Sequence, residues 1–172
     1  MQRTGTKIIA AIFLASFLLW LGILTVRIFV GVQLIDGRTL QYKKSIDPVV
    51  ERAVYSTLAD YSTAAMAVYP LVLITGFLYV RVTRKNLRKS GWLLMSAILF
   101  CIFIPVELYC FTIDWSMIGM VSGGQLPIES YRTIFMKRAM ALAGLPFIAW
   151  LCYYTILGLV LVRPFEINDK TA

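Results

Sequence analysis

The sequence predicts an all-α integral membrane protein built as a bundle of four transmembrane helices. The chain has 172 residues, of which 59% are hydrophobic and only 15% are charged, whereas a soluble domain carries about 25% charged residues. A membrane-spanning helix needs about 20 consecutive apolar residues. Four blocks meet that length, at residues 8–32, 62–82, 92–111 and 139–162. They leave no room for a separate soluble domain, so we interpret residues 1–172 as a single polytopic membrane domain.

The first block is interpreted as a retained helix and not as a cleaved signal peptide. Arg3 and Lys7 precede it, as cations precede the apolar region of a signal peptide. The apolar run is, however, longer than that region, and no small-x-small cleavage site follows it. We therefore expect residues 8–32 to remain as the first span.

The first outer loop, residues 33–61, is predicted to contain a short extracytoplasmic helix. Asp47 is a suitable N-cap, and Pro48 is suited to the first helical position. From Pro48 the helix is expected to run outside the membrane and to continue into span two. It would present a narrow apolar stripe formed by Val50, Val54, Leu58 and Tyr61. Two positions stay open for this helix, on the membrane surface or over the outer mouth of the bundle.

The short connector at residues 83–91 indicates the orientation of the chain. The connector and its flanks contain five cations and no acidic residue. The cations are Arg81, Arg84, Lys85, Arg88 and Lys89. Short cytoplasmic loops are rich in Lys and Arg, whereas the longer loops at 33–61 and 112–138 mix cations with acids. We therefore predict a cytoplasmic (plasma or inner) membrane, with both termini and the connector on the cytoplasmic side. We expect the five cations to contact anionic lipid headgroups, and no nucleic acid is expected as a partner.

The second outer loop and the fourth block each carry a local signal. Gly123-Gly124 and Pro127 mark turns in the loop at 112–138, which is apolar enough to fold back on the bundle or to meet a partner. In the fourth block, Ala139 and Ala143 make a small-xxx-small step of the kind that brings membrane helices close together. We expect this face of span four to pack tightly.

Three prolines are predicted to shape the outer half of the bundle. Pro70, Pro105 and Pro146 fall inside spans two, three and four at a similar depth. A proline inside a helix removes one hydrogen bond and tends to kink it. Three kinks at one depth would open an outward vestibule. The alternative is coincidence, since prolines are common in transmembrane helices.

Glu107, in the third block, is the candidate site residue of the sequence. An ionisable residue inside a span is a functional-site candidate whose partner should be named. Arg27, near the outer end of span one, and Arg138, at the start of span four, are the candidate partners. Two interpretations stay open, an ion pair that fixes helix packing or a proton or ligand site in an outward-facing pocket.

Residue types exclude most catalytic chemistry. The chain has no histidine, which is the usual haem ligand and the usual general base. Its three cysteines form no CxxC pair, and no carboxylates stand at metal-ligand spacing within the spans. We therefore expect neither an enzyme nor a metal or cofactor site.

Two functions are compatible with this pattern. The first is a small non-enzymatic membrane protein that acts as an accessory or scaffolding subunit, within a larger membrane complex or as a homo-oligomer. The second is a transporter, carrier or sensor of a small apolar or protonatable ligand, with Glu107 in an outward-facing vestibule. Membrane lipids, other membrane subunits or further copies of the chain are the expected partners.

Overall fold

A computed structural model describes residues 4–39, 41–43, 46–87, 90–123 and 127–162. Within these ranges the chain forms five α-helices and one short 3-10 turn. The helices are α1 (Thr4–Val32), α2 (Pro48–Leu87), α3 (Gly91–Ser122), α4 (Ile128–Ala139) and α5 (Leu145–Val162), and the turn at Ala141–Gly144 joins the last two. An isolated bridge between Ile35 and Tyr42 closes the segment after α1.

Four stretches are long and apolar enough to cross a membrane, at Thr4–Val32, Pro48–Thr83, Gly91–Ser122 and Ala141–Val162. Their outward faces carry large exposed apolar side chains, among them Phe29, Phe77, Ile102 and Leu151. Lipid can cover such a surface, whereas water would not tolerate apolar patches of this extent. The predicted set of four apolar helices is confirmed. The side of the membrane that each end faces stays a prediction.

The helix predicted from Pro48 exists, and it is continuous with the second span. The Asp47 side chain accepts a hydrogen bond from the Val49 N–H at 2.8 Å, and its carbonyl accepts one from the Glu51 N–H at 2.9 Å. With 40 residues, α2 is about 60 Å long, twice the thickness of the apolar part of a bilayer. Its first turns pack against α4 over the end of the bundle, here called the α4 end.

The second outer loop is mostly helical, which corrects the predicted loop at 112–138. α3 runs on to Ser122, and α4 occupies Ile128–Ala139. No glycine or proline interrupts the sequence between Pro105 and Gly119, so nothing stops the helix. It ends at Gly123, whose N–H donates to the carbonyl of Gly119 at 3.0 Å.

The fourth span does not begin at residue 139. The backbone breaks after α4, where Leu142, Ala143 and Gly144 all have positive φ angles of 48°, 56° and 85°. Ala139 and Ala143 are therefore not on one helix face, and the predicted small-residue packing step is wrong. Pro146 is the second residue of α5, a position where a helix tolerates proline without a kink. The prediction that Pro146 kinks span four is wrong, whereas Pro70 and Pro105 do lie inside helices.

An aromatic core fills the middle of the bundle. The centroid of the Trp20 ring on α1 lies 5.0 Å from the ring centroid of Tyr69 on α2. It lies 4.9 Å from the ring centroid of Tyr153 on α5. A second apolar cluster at the α4 end is built from Leu34, Tyr55, Leu58, Ala59, Met117, Tyr131 and Phe135. Since lipid is as apolar as a core side chain, such packing, and not exclusion of water, holds membrane helices together.

Replacement of Gly76 by leucine is expected to loosen α1 from α2. A Cβ atom at Gly76 would lie 3.1 Å from the Phe13 ring, whereas a Cβ atom at Gly22 would meet nothing within 4 Å. Overpacking of this kind destabilises by about 1–3 kcal/mol. Unfolding in detergent, followed by helical circular dichroism, should therefore show a less stable Gly76→Leu protein and an unchanged or more stable Gly22→Leu control. Equal stabilities would contradict the close approach of the two helices at Gly76.

Candidate functional site

Asp114 on α3 joins two arginines from two other helices. Its carboxylate accepts hydrogen bonds from the Arg27 guanidinium on α1 and, at 3.2 Å, from Nε of Arg138 on α4. Asp114 is 1% exposed, so its charge is neutralised by these partners and not by water. Burial lowers the pKa of Arg138, but the nearby Asp114 carboxylate more than offsets this, and the net pKa lies above the ordinary value.

This arrangement corrects the predicted pairing of the arginines with Glu107. Both guanidinium groups bond to Asp114, a residue that the sequence pattern assigned to a loop. Glu107 and Asp114 are seven residues apart on α3, which is about two turns, so both carboxylates lie on the same helix face. The two arginines thus contact the face of α3 that includes Glu107. They bond, however, to Asp114 and not to Glu107.

Glu107 is 2% exposed and only partly satisfied. Its Oε1 accepts a hydrogen bond from the Tyr153 hydroxyl on α5 at 3.2 Å. Its Oε2 is buried and has no hydrogen-bond partner in the described part of the chain. Arg27 is in a similar state, because its buried Nε has no partner among the same residues.

The two unsatisfied groups line one partly open cavity of about 80 Å³. Its polar wall is formed by Arg27, Glu107 and Arg138, and its apolar wall includes Leu24, Ile28, Phe135, Phe147 and Trp150. The Trp150 ring is held in place because its Nε1 donates to the Thr25 hydroxyl at 3.0 Å. A buried polar group without a partner costs about 1–3 kcal/mol, so a polar occupant that reached these two groups would stabilise the fold.

The other predicted site residues are distributed as follows. Pro146 lies in the cavity wall, whereas Pro70 and Pro105 are not among the described residues that line it. Arg81 is exposed near the end of α2. Arg84 and Lys85 lie in the last turn of the same helix, and Arg88 and Lys89 fall outside the described residues.

A second buried ion pair was missed by the sequence interpretation. Glu51 on α2 is 0% exposed, and it accepts hydrogen bonds from Nε and a terminal nitrogen of Arg132 on α4, at 2.8 and 2.7 Å. The Tyr55 hydroxyl donates to the same carboxylate at 3.1 Å, and the Tyr42 ring lies 4.9 Å from the guanidinium carbon. These bonds to Glu51 raise the pKa of Arg132, and burial together with Glu51 raises the pKa of Tyr42.

This pair also corrects the apolar stripe predicted for the start of α2. Val50 is 55% exposed, and the buried face is formed instead by Glu51, Tyr55, Leu58, Ala59 and Ser62. These residues follow the i, i+4, i+7, i+8, i+11 spacing of one helix face. Leu58 is common to the predicted stripe and the buried face, and the rest of the buried face lies one residue further along the chain than the stripe.

No group of three or more His, Cys, Asp or Glu side chains is placed to hold a metal ion within the described residues. The three cysteines are free and differ in exposure, with Cys101 exposed, Cys110 buried and Cys152 intermediate. The polar groups of the cavity therefore suit binding by hydrogen bonds and charge, which is the chemistry of arginine and glutamate.

Comparisons with family models, with curated proteins and with solved structures found no match for this chain.

Replacement of Arg132 by alanine is expected to destabilise the α4 end. It would leave the fully buried Glu51 carboxylate without its cation, a change that typically costs about 3–5 kcal/mol. Glu129 offers the matched control, because it is 72% exposed and pairs with the same arginine at 3.5 Å, so Glu129→Ala should change stability by less than about 1 kcal/mol. Thermal unfolding in detergent compares the two, and similar effects would contradict the burial of Glu51.

Replacement of Asp114 by asparagine is expected to weaken the contacts of α1 and α4 with α3. Two buried guanidinium groups would then lack a countercharge, and the loss should again reach about 3–5 kcal/mol. Asp60→Asn is the control, since Asp60 is an exposed acid on α2 and its removal should stay within about 0.5 kcal/mol. Thermal unfolding in detergent compares the two variants. An Asp114→Asn protein as stable as the control would contradict the central role of this carboxylate.

Proposed function

We propose that the chain is a membrane carrier or sensor that binds a small ligand in the cavity beside Glu107. One observation carries the proposal. Arg27 and Glu107 line the same cavity, and each has a buried polar atom, Nε and Oε2 respectively, without a hydrogen-bond partner among the described residues. In a folded protein, nearly all buried polar groups are paired, so an occupant that completes both hydrogen bonds is favoured.

The composition of the cavity wall supports an organic ligand as the occupant, and not only trapped water. Ligand pockets combine a mostly apolar lining with a few convergent polar groups that fix orientation. Here the apolar side chains come from all five helices and from Ile35 after α1, and the polar groups come from α1, α3 and α4. An occupant with an apolar body and a polar head would satisfy both parts of this wall.

The break between α4 and α5 supports an entry route for this ligand. Leu142 and Ala143 hold a left-handed backbone, which is unfavourable for residues with a side chain, and Gly144 completes the turn with a φ of 85°. Directly beside it, Pro146 and Phe147 belong to the cavity wall. A small change in this turn would widen the cavity without disturbing the packed centre of the bundle.

The proposal includes the membrane setting expected from charge. The cations around Arg81 would face the cytoplasm and anionic headgroups, and the α4 end would face outward. The cavity would then open in the outer half of a plasma or inner membrane. No catalytic step is assigned to the chain. The accessory or scaffolding subunit stays the alternative function, and the following experiment separates the two.

Ligand retention should depend on the space inside the cavity. The whole chain is purified from membranes in a mild detergent, and bound small molecules and proteins are identified by mass spectrometry. Ile28 lines the cavity, so Ile28→Trp should reduce a retained small molecule at least about tenfold, the size of effect expected from steric loss of about 1.4 kcal/mol or more. Leu19→Trp, on the exposed face of the same helix, should retain it.

Two outcomes would contradict the proposal. The first is purification without any retained small molecule, together with another membrane protein in fixed proportion, which would favour the accessory subunit. The second is an equal loss of the molecule from both tryptophan variants, which would place its binding outside the cavity.

A further inference from the structure

We infer that the occupant is a monocarboxylic acid with an apolar body, whose carboxyl group shares one proton with Glu107. This inference rests on the proposed function and names the chemical class of its ligand. It follows from the donors, the acceptor and the charges that surround the cavity.

The donors come from the two arginines. Arg27 bonds to Asp114 through a terminal nitrogen and leaves its Nε–H unused. Arg138 bonds to Asp114 through Nε, and its two terminal amino groups have no hydrogen-bond partner among the described residues. Guanidinium groups bind planar carboxylates through several parallel hydrogen bonds. One wall of the cavity is therefore prepared for a carboxylate oxygen.

The acceptor comes from Glu107. Glu107 lines the same cavity, and its Oε2 has no hydrogen-bond partner among the described residues, so the second oxygen of a ligand carboxyl would lie beside it. Two carboxyl groups in direct contact cannot both be ionised, because like charges at that distance disfavour each other. They share one proton, and the pair titrates as a unit. A carboxylate anion would thus bind together with one proton taken from water, with no covalent bond made or broken.

The charge balance favours this ligand over others. Arg27 and Arg138 contribute two positive charges, Asp114 one negative charge, and the proton-sharing pair one more negative charge, so that the buried set is neutral. An amine would face two guanidinium groups, and a dicarboxylate would add an uncompensated buried charge, which is strongly unfavourable. An alcohol would leave guanidinium donors unpaired.

The apolar wall selects the rest of the molecule. Leu24, Ile28, Phe135, Phe147 and Trp150 share the wall with the polar groups, and the cavity is partly open. Phe147 is itself an exposed side chain at the start of α5. A medium-length alkyl chain would therefore pack along this wall with its end toward the lipid. Octanoate is a suitable probe.

The test is a titration of the detergent-solubilised chain with octanoate, octanol and octylamine, followed by calorimetry. Octanoate should bind at least about tenfold more tightly than the alcohol or the amine, as expected for charge-assisted hydrogen bonds. In buffers of different ionisation enthalpy, the titration should show uptake of one proton per bound octanoate once the pH is high enough to ionise Glu107 in the empty cavity. In that range the affinity falls about tenfold for each pH unit.

Two variants examine the shared proton and the arginine. Glu107→Gln carries an uncharged amide in place of the acid, so it should keep its affinity for octanoate and lose the dependence on pH. Arg138→Gln should weaken octanoate binding at least about tenfold, whereas Lys137→Gln, at the exposed neighbouring residue of α4, should not.

The results that would overturn this inference differ from those that would overturn the proposed function. Tighter binding of octanol or octylamine, or a proton uptake that survives in Glu107→Gln, would exclude the acid while leaving a ligand in the cavity. A retained native molecule without a carboxyl group would do the same. Failure of all three probes to bind would also overturn the inference, and only the retention experiment decides the proposed function.

Discussion

The contact of one carboxylate, Asp114, with two guanidinium groups is the interaction on which the α4 end depends. A buried charge is tolerated only when it is paired and hydrogen-bonded. Arg27 on α1 and Arg138 on α4 both meet this need, so α4 must lie across the bundle beside α3. The chain must then reverse its direction sharply before α5 begins. The left-handed residues at 142–144 make this turn, and their unfavourable backbone, at about 1–2 kcal/mol for each non-glycine residue, is offset by the ion pairs.

α4 is fixed at two points by its own cations. Arg138 near its end contacts Asp114, and Arg132 one and a half turns earlier contacts Glu51 at the start of α2. Tyr131 and Phe135 on the same helix pack into the apolar cluster of this end. These two directional contacts and the apolar cluster together fix the position of this short helix. The helices that cross the membrane are held instead by the aromatic packing around Trp20.

The parts of this fold that could be predicted are those that depend on local sequence. Long apolar blocks identify the spanning helices, and Asp47 followed by Pro48 identifies the start of α2. The buried acids could not be found in this way, because a window of sequence cannot show a charge that is neutralised by a distant residue. Asp114 was therefore assigned to a loop, and the burial of Glu51 was missed. The break at 142–144 was missed for the same reason, since it is imposed by the contacts of α4. The proximity of Arg27, Arg138 and Glu107 was predictable from depth alone, but their pairing was not.

The choice of Asp114 over Glu107 as the partner of the arginines has a consequence for function. Had Glu107 taken one of them, it would be a structural ion pair, and any change in its charge would weaken the bundle. Since Asp114 takes both, the only hydrogen bond to Glu107 among the described residues comes from the Tyr153 hydroxyl, and Glu107 also lines the cavity. Its protonation or its contact with a ligand can therefore change while the contacts of α1, α3 and α4 remain intact. One acid secures the helices, and in the proposed function the other, two turns away on the same face, binds the ligand.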